Sequence, residues 1–286
     1  MSKVWLVTGS ASGLGRDISE AVLASGDRLL ATARDPQRLS DLVERYGQQM
    51  ATASLDVSDE AAARAAVSKA VDVFGRLDVL INNAGYGDTA PFEQVSSERF
   101  RALIETNFFG VVSMSRAAIP IMRQQKSGCI LQVSSVGGRI ATPGNASYHA
   151  AKWAVGGFTE AVALEVASFG VRVCALEPGG MRTNWGNRAV ADVPTLLPDY
   201  EPSVGALLRT LAGYWGHETS DPKKVAQLIL YLATKEQLPT HLLVGSDAVQ
   251  YARVAEDKRE SDAKAWLDVS ISTDAEAAQR LHLSSV

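Results

Sequence analysis

Short apolar runs alternate with longer amphipathic stretches along most of the chain. Brief apolar runs bounded by turn residues predict buried strands, whereas apolar residues at helical spacing predict amphipathic helices. The predicted strands are residues 3–7, 28–33, 51–55, 77–81, 128–133, 171–176 and 242–244. The predicted helices are residues 13–25, 36–46, 58–74, 98–125, 146–169 and 221–234.

The order of these elements predicts a single α/β domain. Alternating strands and helices form right-handed βαβ units, whose strands build a parallel sheet with helices on both faces. We therefore predict a doubly wound Rossmann fold of seven parallel strands over residues 1–250. Residues 179–220 are rich in Gly, Pro, Trp and Tyr and would lie over the carboxyl edge of the sheet, where ligands bind. Residues 251–286 are expected to be a helical extension and not a separate domain.

Composition and charge narrow the possible partners. Hydrophobic residues make up 46% and charged residues 21%, as in ordinary globular proteins. A net charge of −4 gives no electrostatic reason to expect nucleic acid or a membrane as partner. Gly, Ser, Arg16 and Asp17 interrupt the first 25 residues, so no signal peptide is predicted. We expect a cytoplasmic protein that acts on a small molecule.

The cysteines and histidines predict neither a disulfide nor a metal. Cys129 and Cys174 lie inside predicted strands, which favours small buried side chains over a disulfide or a reactive thiol. The four histidines are scattered, and none has the spacing of metal ligands.

The first predicted strand runs directly into a glycine-rich turn, T-G-S-A-S-G-L-G over residues 8–15. Glycines there let the backbone approach a pyrophosphate closely, and the following helix points its free N–H groups at that anion. The position of the turn between a strand and a helix therefore predicts a dinucleotide site. We expect cofactor contacts at Gly9, Ser10, Ser12, Gly13, Leu14 and Gly15.

The end of the second strand indicates which dinucleotide binds. Proteins that bind NAD usually place an acidic residue there for the ribose 2′-hydroxyl, but here that position is Ala33 and Arg34 follows. Arginine suits a 2′-phosphate through charge and paired hydrogen bonds, and Ser12 can add another. We therefore favour NADP over NAD. The alternative is that Arg34 is solvated and Asp35 binds the ribose.

Tyr148 and Lys152 lie four residues apart in S-Y-H-A-A-K. On a helix, both side chains project from one face. An ammonium near a phenol favours the phenolate and lowers the tyrosine pKa from its usual value of about 10. Such a tyrosine exchanges a proton with a substrate oxygen near neutral pH. The pair therefore predicts interconversion of a carbonyl and an alcohol.

These motifs resemble those of the short-chain dehydrogenase/reductase family over residues 3–250. The glycine-rich turn matches the family's T-G-x3-G-x-G loop. Ala151 departs from the family's Y-x-A-S-K, a small-for-small change. Further matches in the family's order are Asp56 and Val57 after the third strand, N-N-A-G at residues 82–85, Asn107, the S-x12-Y-x3-K set of Ser135, Tyr148 and Lys152, Pro178-Gly179, and Thr183.

The resemblance implies a role for each match. Tyr148 would be the acid in reduction and the base in oxidation, and Lys152 would lower its pKa and bind the nicotinamide ribose. Ser135 would polarise the substrate carbonyl, although its choice over Ser134 depends on spacing alone. Asn107 would hold a water that links Lys152 to solvent. The implied cofactor contacts are Asp56, Val57, Asn83, Ala84, Gly85, Tyr148, Lys152, Pro178, Gly179 and Thr183.

The substrate side is less defined. An apolar pocket wall would suit a lipophilic ketone or alcohol, although core packing is the alternative for each candidate. The R-D pair after the second strand and S-V-G-G after the fifth are similar to the 17β-hydroxysteroid and retinol dehydrogenase branches. Arg139, Arg182 and Arg188 could instead bind a carboxylate or a CoA phosphate, but solvated positions are favoured. The candidates for the wall are Phe92, Val136, Trp185, Leu196, Leu197, Tyr200, Tyr214 and Trp215.

Together these observations predict an NADP(H)-dependent oxidoreductase acting on a carbonyl or alcohol. The alternative is a dinucleotide-sensing protein of the same fold without turnover, which would not need a proton donor. A sugar-nucleotide epimerase or dehydratase is disfavoured by the loop spacing and the short tail. Relatives dimerise through the helices that begin near residues 98 and 146, so we expect a homodimer or homotetramer, with Phe108, Phe109, Val112 and Trp153 at the interface or in the core.

Overall fold

The computed structural model describes residues 2–275 and shows the predicted doubly wound sheet. Seven strands pair in the order β3-β2-β1-β4-β5-β6-β7, and every pairing is parallel. The reversal of strand order beside β1 opens a crevice at the carboxyl ends of the strands. The strands are β1 Val4–Val7, β2 Arg28–Ala33, β3 Met50–Ser54, β4 Val79–Asn82, β5 Gly128–Val133, β6 Val171–Pro178 and β7 His241–Val244.

The helices follow the predicted order, but several of the predicted ranges are divided. Pro36–Leu39 and Ala167–Phe169 are 3₁₀ turns next to α-helices. The long helix predicted over residues 98–125 is interrupted by a π-helical turn, Glu105–Phe109. The helices are α1 Gly13–Ala24, α2 Ser40–Tyr46, α3 Glu60–Phe74, α4 Ser97–Ile104, α5 Gly110–Gln125, α6 Ala146–Val166, α7 Trp185–Ala189, α8 Ala206–Ala212, α9 Pro222–Leu232, α10 Ser246–Ala265 and α11 Leu267–Ile271.

Polar side chains fix where several helices begin. The carboxylate of Asp59 accepts hydrogen bonds from the N–H groups of Ala61 and Ala62, which would otherwise lack partners at the start of α3. The predicted start at Ser58 was therefore one residue early for the cap. Asp221 caps α9 in the same way, and Pro222 takes the first helical position, where its missing N–H costs nothing.

Hydrophobic cores lie on both faces of the sheet. All four residues of β1 are buried: Trp5 and Val7 face α1 and α9, whereas Val4 and Leu6 face α3, α5 and α6. Burial on both faces explains why the strands are continuous apolar runs without polar alternation. Cys129 and Cys174 are both free and buried, as predicted. Burial raises the pKa of the Cys129 thiol to about 11.

The segment between β6 and α9 contains α7 and α8 and returns to its starting point. Met181 and Ser220 form an isolated parallel bridge that closes its base. We call residues 179–220 the flap. After β7, α10 begins against the domain with Ala248 and Ala252 buried, whereas residues 256–275 are exposed. Residues 276–286 of the predicted extension lie outside the described part. Over residues 2–275, no helix combines the length and hydropathy needed to cross a membrane.

Candidate active site

A cleft of about 790 Å³ opens at the carboxyl ends of the central strands. It brings together most of the predicted site residues, although they come from the whole length of the chain. Within residues 2–275, no group of three or more His, Cys, Asp or Glu side chains is placed to hold a metal ion. The predicted residues that line the cleft are Gly9, Ser12, Gly13, Leu14, Gly15, Arg34, Asp56, Val57, Asn83, Ala84, Gly85, Ser135, Tyr148, Lys152, Pro178, Gly179 and Thr183.

The glycine-rich turn depends on glycine at specific points. Gly9 and Gly13 have φ angles of +70° and +55°, which residues with a side chain rarely adopt. A Cβ on Gly15 would lie 2.2 Å from the carbonyl oxygen of Gly9 and 2.5 Å from Nδ2 of Asn83. Ser12 precedes α1 without making a side-chain cap, so N–H groups of its first turn are available to an anion.

Thr8 and Asn83 hold this turn against the end of β4. The Thr8 Oγ1 accepts hydrogen bonds from the N–H of Asn83 at 2.9 Å and of Ala84 at 3.0 Å. The Asn83 amide donates back to the Thr8 carbonyl at 2.9 Å. The side chain of Asn83 therefore fixes the shape of the cleft wall.

Of the predicted catalytic and cofactor-binding residues, two do not line the cleft: Ser10 and Asn107. The Ser10 side chain is fully buried and donates to the carbonyl of Val7 at 2.9 Å, so its hydroxyl does not face the cleft and the cofactor contact of this residue stays a prediction. The turn reverses at Gly9 and directs the hydroxyl back toward β1. Sequence spacing alone does not reveal that direction.

Asn107 lies in the π-helical turn and holds the loop after β4. Its Oδ1 accepts from the Tyr86 N–H at 3.0 Å, and its Nδ2 donates to the Tyr86 carbonyl at 2.7 Å. A Cβ on Gly85 would lie 3.1 Å from the Asn107 Oδ1 and 3.9 Å from the Lys152 Nζ. Asn107 is thus close to Lys152, but its amide already bonds the backbone. Its predicted role of holding a water stays a prediction.

Arg34 is exposed at the edge of the cleft, and Arg38 lines the cleft with it. The sequence reasoning missed Arg38, although its position four residues after Arg34 could have drawn attention to it. The Asp35 carboxylate accepts from the Gln37 N–H at 3.1 Å and caps the turn at Pro36–Leu39. This bond gives Asp35 a structural use, although Asp35 also lines the cleft.

Asp56 follows β3 and lines the cleft. Its carboxylate accepts from the Ser58 hydroxyl at 2.6 Å and from the Ser58 N–H at 3.0 Å. These two bonds stabilise the charged form and lower the pKa of Asp56.

The structure distinguishes Ser135 from Ser134. The Ser134 side chain is buried and lies 3.5 Å from the carbonyl oxygen of Lys152. The Ser135 Oγ accepts from the Gly137 N–H at 2.9 Å. Ser135 lies beside Tyr148, since a Cβ on Gly137 would be 3.3 Å from this Oγ and 3.1 Å from the Tyr148 ring. Because the Gly137 bond uses a lone pair, the Ser135 hydroxyl keeps its proton for a further acceptor.

Tyr148 and Lys152 are on the same face of α6, but their electrostatics differ from the sequence prediction. Burial raises the pKa of Tyr148 to about 12, although the nearby Ser135 hydroxyl favours the phenolate. Burial lowers the pKa of Lys152 to about 8. The Lys152 Nζ donates to the Val133 carbonyl at 2.9 Å and lies 5.7 Å from the centroid of the Tyr148 ring. The pKa of Tyr148 thus shifts in the opposite direction to the predicted lowering, because burial of the phenol disfavours its charged form.

His149, which the sequence reasoning did not single out, supports the loop that carries Ser135. Its Nε2 accepts from the Thr142 N–H at 2.9 Å, so the proton of the neutral ring is on Nδ1, which donates to the Gly137 carbonyl at 2.8 Å. Burial lowers the pKa of His149 and favours this neutral form. In the sequence, its position directly after Tyr148 was the feature that could have identified it.

Aromatic rings from the flap close the other end of the cleft. The Trp185 ring is 5.2 Å from the Tyr148 ring, and a Cβ on Gly87 would lie 2.6 Å from its edge. The Trp215 ring covers Gly186 in the same way. Of the predicted wall residues, the structure places in the cleft only Val136, Trp185, Tyr214 and Trp215.

Four predicted wall residues lie elsewhere: Phe92, Leu196, Leu197 and Tyr200. Phe92 is 67% exposed, because it begins a short turn outside the cleft. Of the three arginines considered, only Arg188 lines the cleft, whereas Arg139 pairs with Glu177 and Arg182 bonds the Glu218 carbonyl. Wall residues that the sequence reasoning missed are Tyr86, Ile140, Val190, Leu207 and Leu211.

The donor groups of the cleft fit a dinucleotide. The close contact of Gly15 with Gly9 lets the backbone approach a pyrophosphate, and the start of α1 offers N–H groups to its charge. Arg34 and Arg38 supply positive charge at the ribose end.

Comparisons with known proteins agree with this geometry. A family model described as short chain dehydrogenase matches residues 3–193. The chain is 45% identical to the oxidoreductase BOA17 of Botryotinia fuckeliana, over 96% of this chain and 100% of that protein. It is 33% identical to a 3-ketodihydrosphingosine reductase of Bacteroides thetaiotaomicron, over 85% and 88% of the two chains.

Solved structures give the same result. A short-chain dehydrogenase from Streptomyces avermitilis has a TM-score of 0.89 and 36% identity, covering 96% of this chain and 100% of that one. The structure of ElxO with NADP bound has a TM-score of 0.73 and 25% identity, covering 87% and 100%. These relatives do not single out the 17β-hydroxysteroid or retinol dehydrogenase branch, which stays a prediction.

Proposed function

The chain belongs to the short-chain dehydrogenase/reductase family of oxidoreductases, and we propose that it interconverts a lipophilic ketone or aldehyde and its alcohol with NADP(H). The observation that carries this proposal is the meeting of Ser135, Tyr148 and Lys152 beside the dinucleotide-fitting cleft. A bound nicotinamide dinucleotide would supply or accept the hydride. The residues of this chain would bind it, orient the substrate and move one proton.

Tyr148 and Ser135 would handle that proton. With a pKa near 12, the Tyr148 phenol is protonated at neutral pH and can donate from Oη to the oxygen of a carbonyl during reduction. The free proton of the Ser135 hydroxyl would bond the same oxygen and stabilise its developing charge. Oxidation would use Tyr148 as the base and would require its phenolate, which the raised pKa disfavours at neutral pH.

Arg34 and Arg38 support NADP over NAD. Both guanidinium groups line the ribose end of the cleft, where a 2′-phosphate would add negative charge. The similar protein ElxO binds NADP. We therefore propose that the two arginines hold the 2′-phosphate.

The substrate wall supports a lipophilic compound. Trp185, Tyr214 and Trp215 line the cleft, and the Trp185 ring lies 5.2 Å from the Tyr148 ring. One relative is named a 3-ketodihydrosphingosine reductase, a name consistent with a keto substrate.

We also propose that the chain forms a homo-oligomer through α5 and α6. Phe109 directly precedes α5, and Trp153 and Leu164 belong to α6. Phe109 and Trp153 are each 45% exposed and Leu164 is 72% exposed, and such exposed apolar side chains are suited to a protein interface. Sedimentation velocity would show a dimer or tetramer, and a monomer at about 10 µM would contradict this part of the proposal.

Substitution of Tyr148 tests the chemistry. Tyr148→Phe should lower the rate of NADPH oxidation with a panel of ketones and aldehydes by roughly 100-fold or more, because the proton donor is removed. Its NADPH dissociation constant should stay within about threefold of the wild-type value. A variant that keeps more than about a tenth of the rate would remove Tyr148 from this role. Tight NADPH binding without turnover of any carbonyl by the wild type would instead favour the dinucleotide-sensing alternative.

Substitution of the arginines tests the choice of cofactor. Arg34→Ala and Arg38→Ala should each weaken NADPH binding by about tenfold and leave NADH binding unchanged, because only NADPH carries the 2′-phosphate. Arg101→Ala, on α4 and outside the cleft, is the matched control. A wild-type preference for NADH of about tenfold would contradict the assignment.

A further inference from the structure

A cluster of charged side chains lies behind the cleft, on the side of β6 away from the cofactor turn. Its centre is Glu177, the last residue before Pro178-Gly179, with only 1% of its surface exposed. A buried carboxylate is costly unless both oxygens are paired. Here both are paired, and the sequence reasoning did not identify either partner.

The two oxygens of Glu177 bond different elements. Oε2 lies 3.1 Å from the Arg139 Nε, and Oε1 lies 2.7 Å from the His241 Nδ1. The other ring nitrogen of His241, Nε2, lies 2.8 Å from the Glu160 Oε1 on α6. Both nitrogens of one imidazole therefore face carboxylate oxygens.

This arrangement requires a protonated histidine. A neutral imidazole has one N–H and could serve only one of the carboxylates, whereas an imidazolium donates to both Glu177 and Glu160. The hydrogen bond to Glu177 is the main reason that the pKa of His241 is raised above its ordinary value of 6.5.

The charges of the cluster balance only when His241 is protonated. Glu177 on β6 and Glu160 on α6 face the ring, and Arg139 follows the Ser135 turn. On α10, Glu256 lies 3.8 Å from the Arg139 Nη1, and Arg259 donates to the Arg139 carbonyl at 2.8 Å. The three carboxylates match two arginines and one imidazolium. Loss of the proton removes one of the two cationic partners of the buried Glu177.

The cluster connects both halves of the reaction site. Arg139 ends the turn that begins at Ser135, in which the Gly138 N–H donates to the Ser135 carbonyl at 2.9 Å. Glu177 leads directly into Gly179, whose N–H donates to the Val244 carbonyl at 3.0 Å beside the cleft. The ion pair thus joins the segment with the substrate-facing hydroxyl to the segment on the cofactor side.

We propose that Glu177, Arg139 and His241 form a positioning network that sets Ser135 relative to the Pro178-Gly179 turn, and that deprotonation of His241 loosens it. The effect of this network on turnover rests on the proposed oxidoreductase activity. None of the three residues lines the cleft. They act through the backbone of the two segments.

Amide hydrogen exchange tests the positioning without any substrate. In His241→Asn and Glu177→Gln, compared with wild type at the same pH, peptides covering residues 135–140 and 178–181 should exchange at least about fivefold faster. A peptide from β2 is the internal reference. His217→Asn, which changes an exposed histidine outside the network, is the matched control. Unchanged exchange in both segments would overturn the positioning role.

The pH dependence of unfolding tests the proton. Because the folded pKa of His241 is raised, its stabilisation is complete below pH 6.5 and is lost as the pH rises through the folded pKa. Urea titrations should show this loss in wild type and in His217→Asn but not in His241→Asn. An identical pH profile in His241→Asn would overturn the switch.

Turnover gives the last readout. The wild-type kcat should fall on the alkaline side of 6.5, and His241→Asn should lack that inflection while its NADPH affinity stays within about threefold of wild type. If no carbonyl is reduced but exchange and unfolding respond as expected, the oxidoreductase proposal fails and the network stands. If turnover is normal and has the same pH profile in His241→Asn, the network has no part in positioning.

Discussion

The two ends of the cleft are lined by different chemical groups. At the cofactor end, backbone groups and glycines make the surface: Gly15 contacts the Gly9 carbonyl, and Asn83 holds the turn. At the substrate end, aromatic rings make the surface, with Trp185 seated on Gly87 and Trp215 on Gly186. Glycine is needed at both ends because it has no side chain. At the first end its absence of a Cβ lets two backbone segments approach, and at the second it leaves space for an aromatic ring.

This difference explains how one family keeps a cofactor and varies a substrate. A backbone surface depends little on side-chain identity beyond its glycines, so a short motif specifies it. A surface of rings changes with each substituted side chain, and its members come from the flap and from the loops that it covers. Substitutions should therefore affect one end without the other.

The largest expected effect is at the cofactor end. Gly15→Ala places a Cβ against backbone atoms that cannot move aside, so NADPH affinity should fall about 100-fold and the free energy of unfolding by about 1–3 kcal/mol. Fluorescence titration and urea denaturation measure these changes.

Gly157→Ala is the matched control. Gly157 is exposed within α6, and a Cβ added there would have no neighbouring atom within 4 Å, so alanine should stabilise the protein by about 0.5–1 kcal/mol. If Gly15→Ala binds NADPH within about threefold of wild type, the close contact at that turn does not govern binding.

A smaller effect is expected at the substrate end. Trp185→Ala removes the ring beside Tyr148 and should raise the KM for a carbonyl substrate about tenfold, with the NADPH dissociation constant within about threefold of wild type. Steady-state kinetics and NADPH titration separate the two. Phe92→Ala, which removes an exposed ring outside the cleft, should change neither constant. Equal losses of substrate and cofactor affinity would break the comparison.

The smallest expected effect is on the stability of the protein and concerns Lys152, which lines the middle of the site. Because the folded pKa of Lys152 is lowered to about 8, the wild type should become more stable as the pH rises from 8 toward 10.5, the ordinary lysine value. Lys152→Met should lack this rise and should be more stable than wild type at pH 7 by about 1 kcal/mol, since it buries no charge but leaves the Val133 carbonyl without a donor. Urea denaturation at pH 7 and pH 10 checks both. Equal slopes with pH in the two proteins would contradict the buried charge.

Much of the architecture could be predicted from the sequence. Strands buried on both faces are continuous apolar runs, and the glycine-rich turn stands where β1 meets α1, so pattern and position agreed. The spacing of Ser135, Tyr148 and Lys152 was enough to predict that one cleft would contain all three.

Directions of individual side chains were not predictable in the same way. Ser10 turns away from the cleft and Arg38 lines it, although both belong to segments that the sequence identified as cofactor-binding. The wall of the substrate end was half right, because aromatic residues in an aperiodic segment carry no periodic signal of the side they face.

The sequence by itself determined the order of strands and helices, the glycine turn and the spacing of Ser135, Tyr148 and Lys152, since these depend on local pattern and short spacing. Only the tertiary structure decided that burial raises the Tyr148 pKa, that the Ser134 hydroxyl lies against the Lys152 carbonyl, and that Glu177 meets Arg139 and His241. Those outcomes depend on desolvation and on contacts between residues far apart in the chain, and neither is encoded in any short stretch of it.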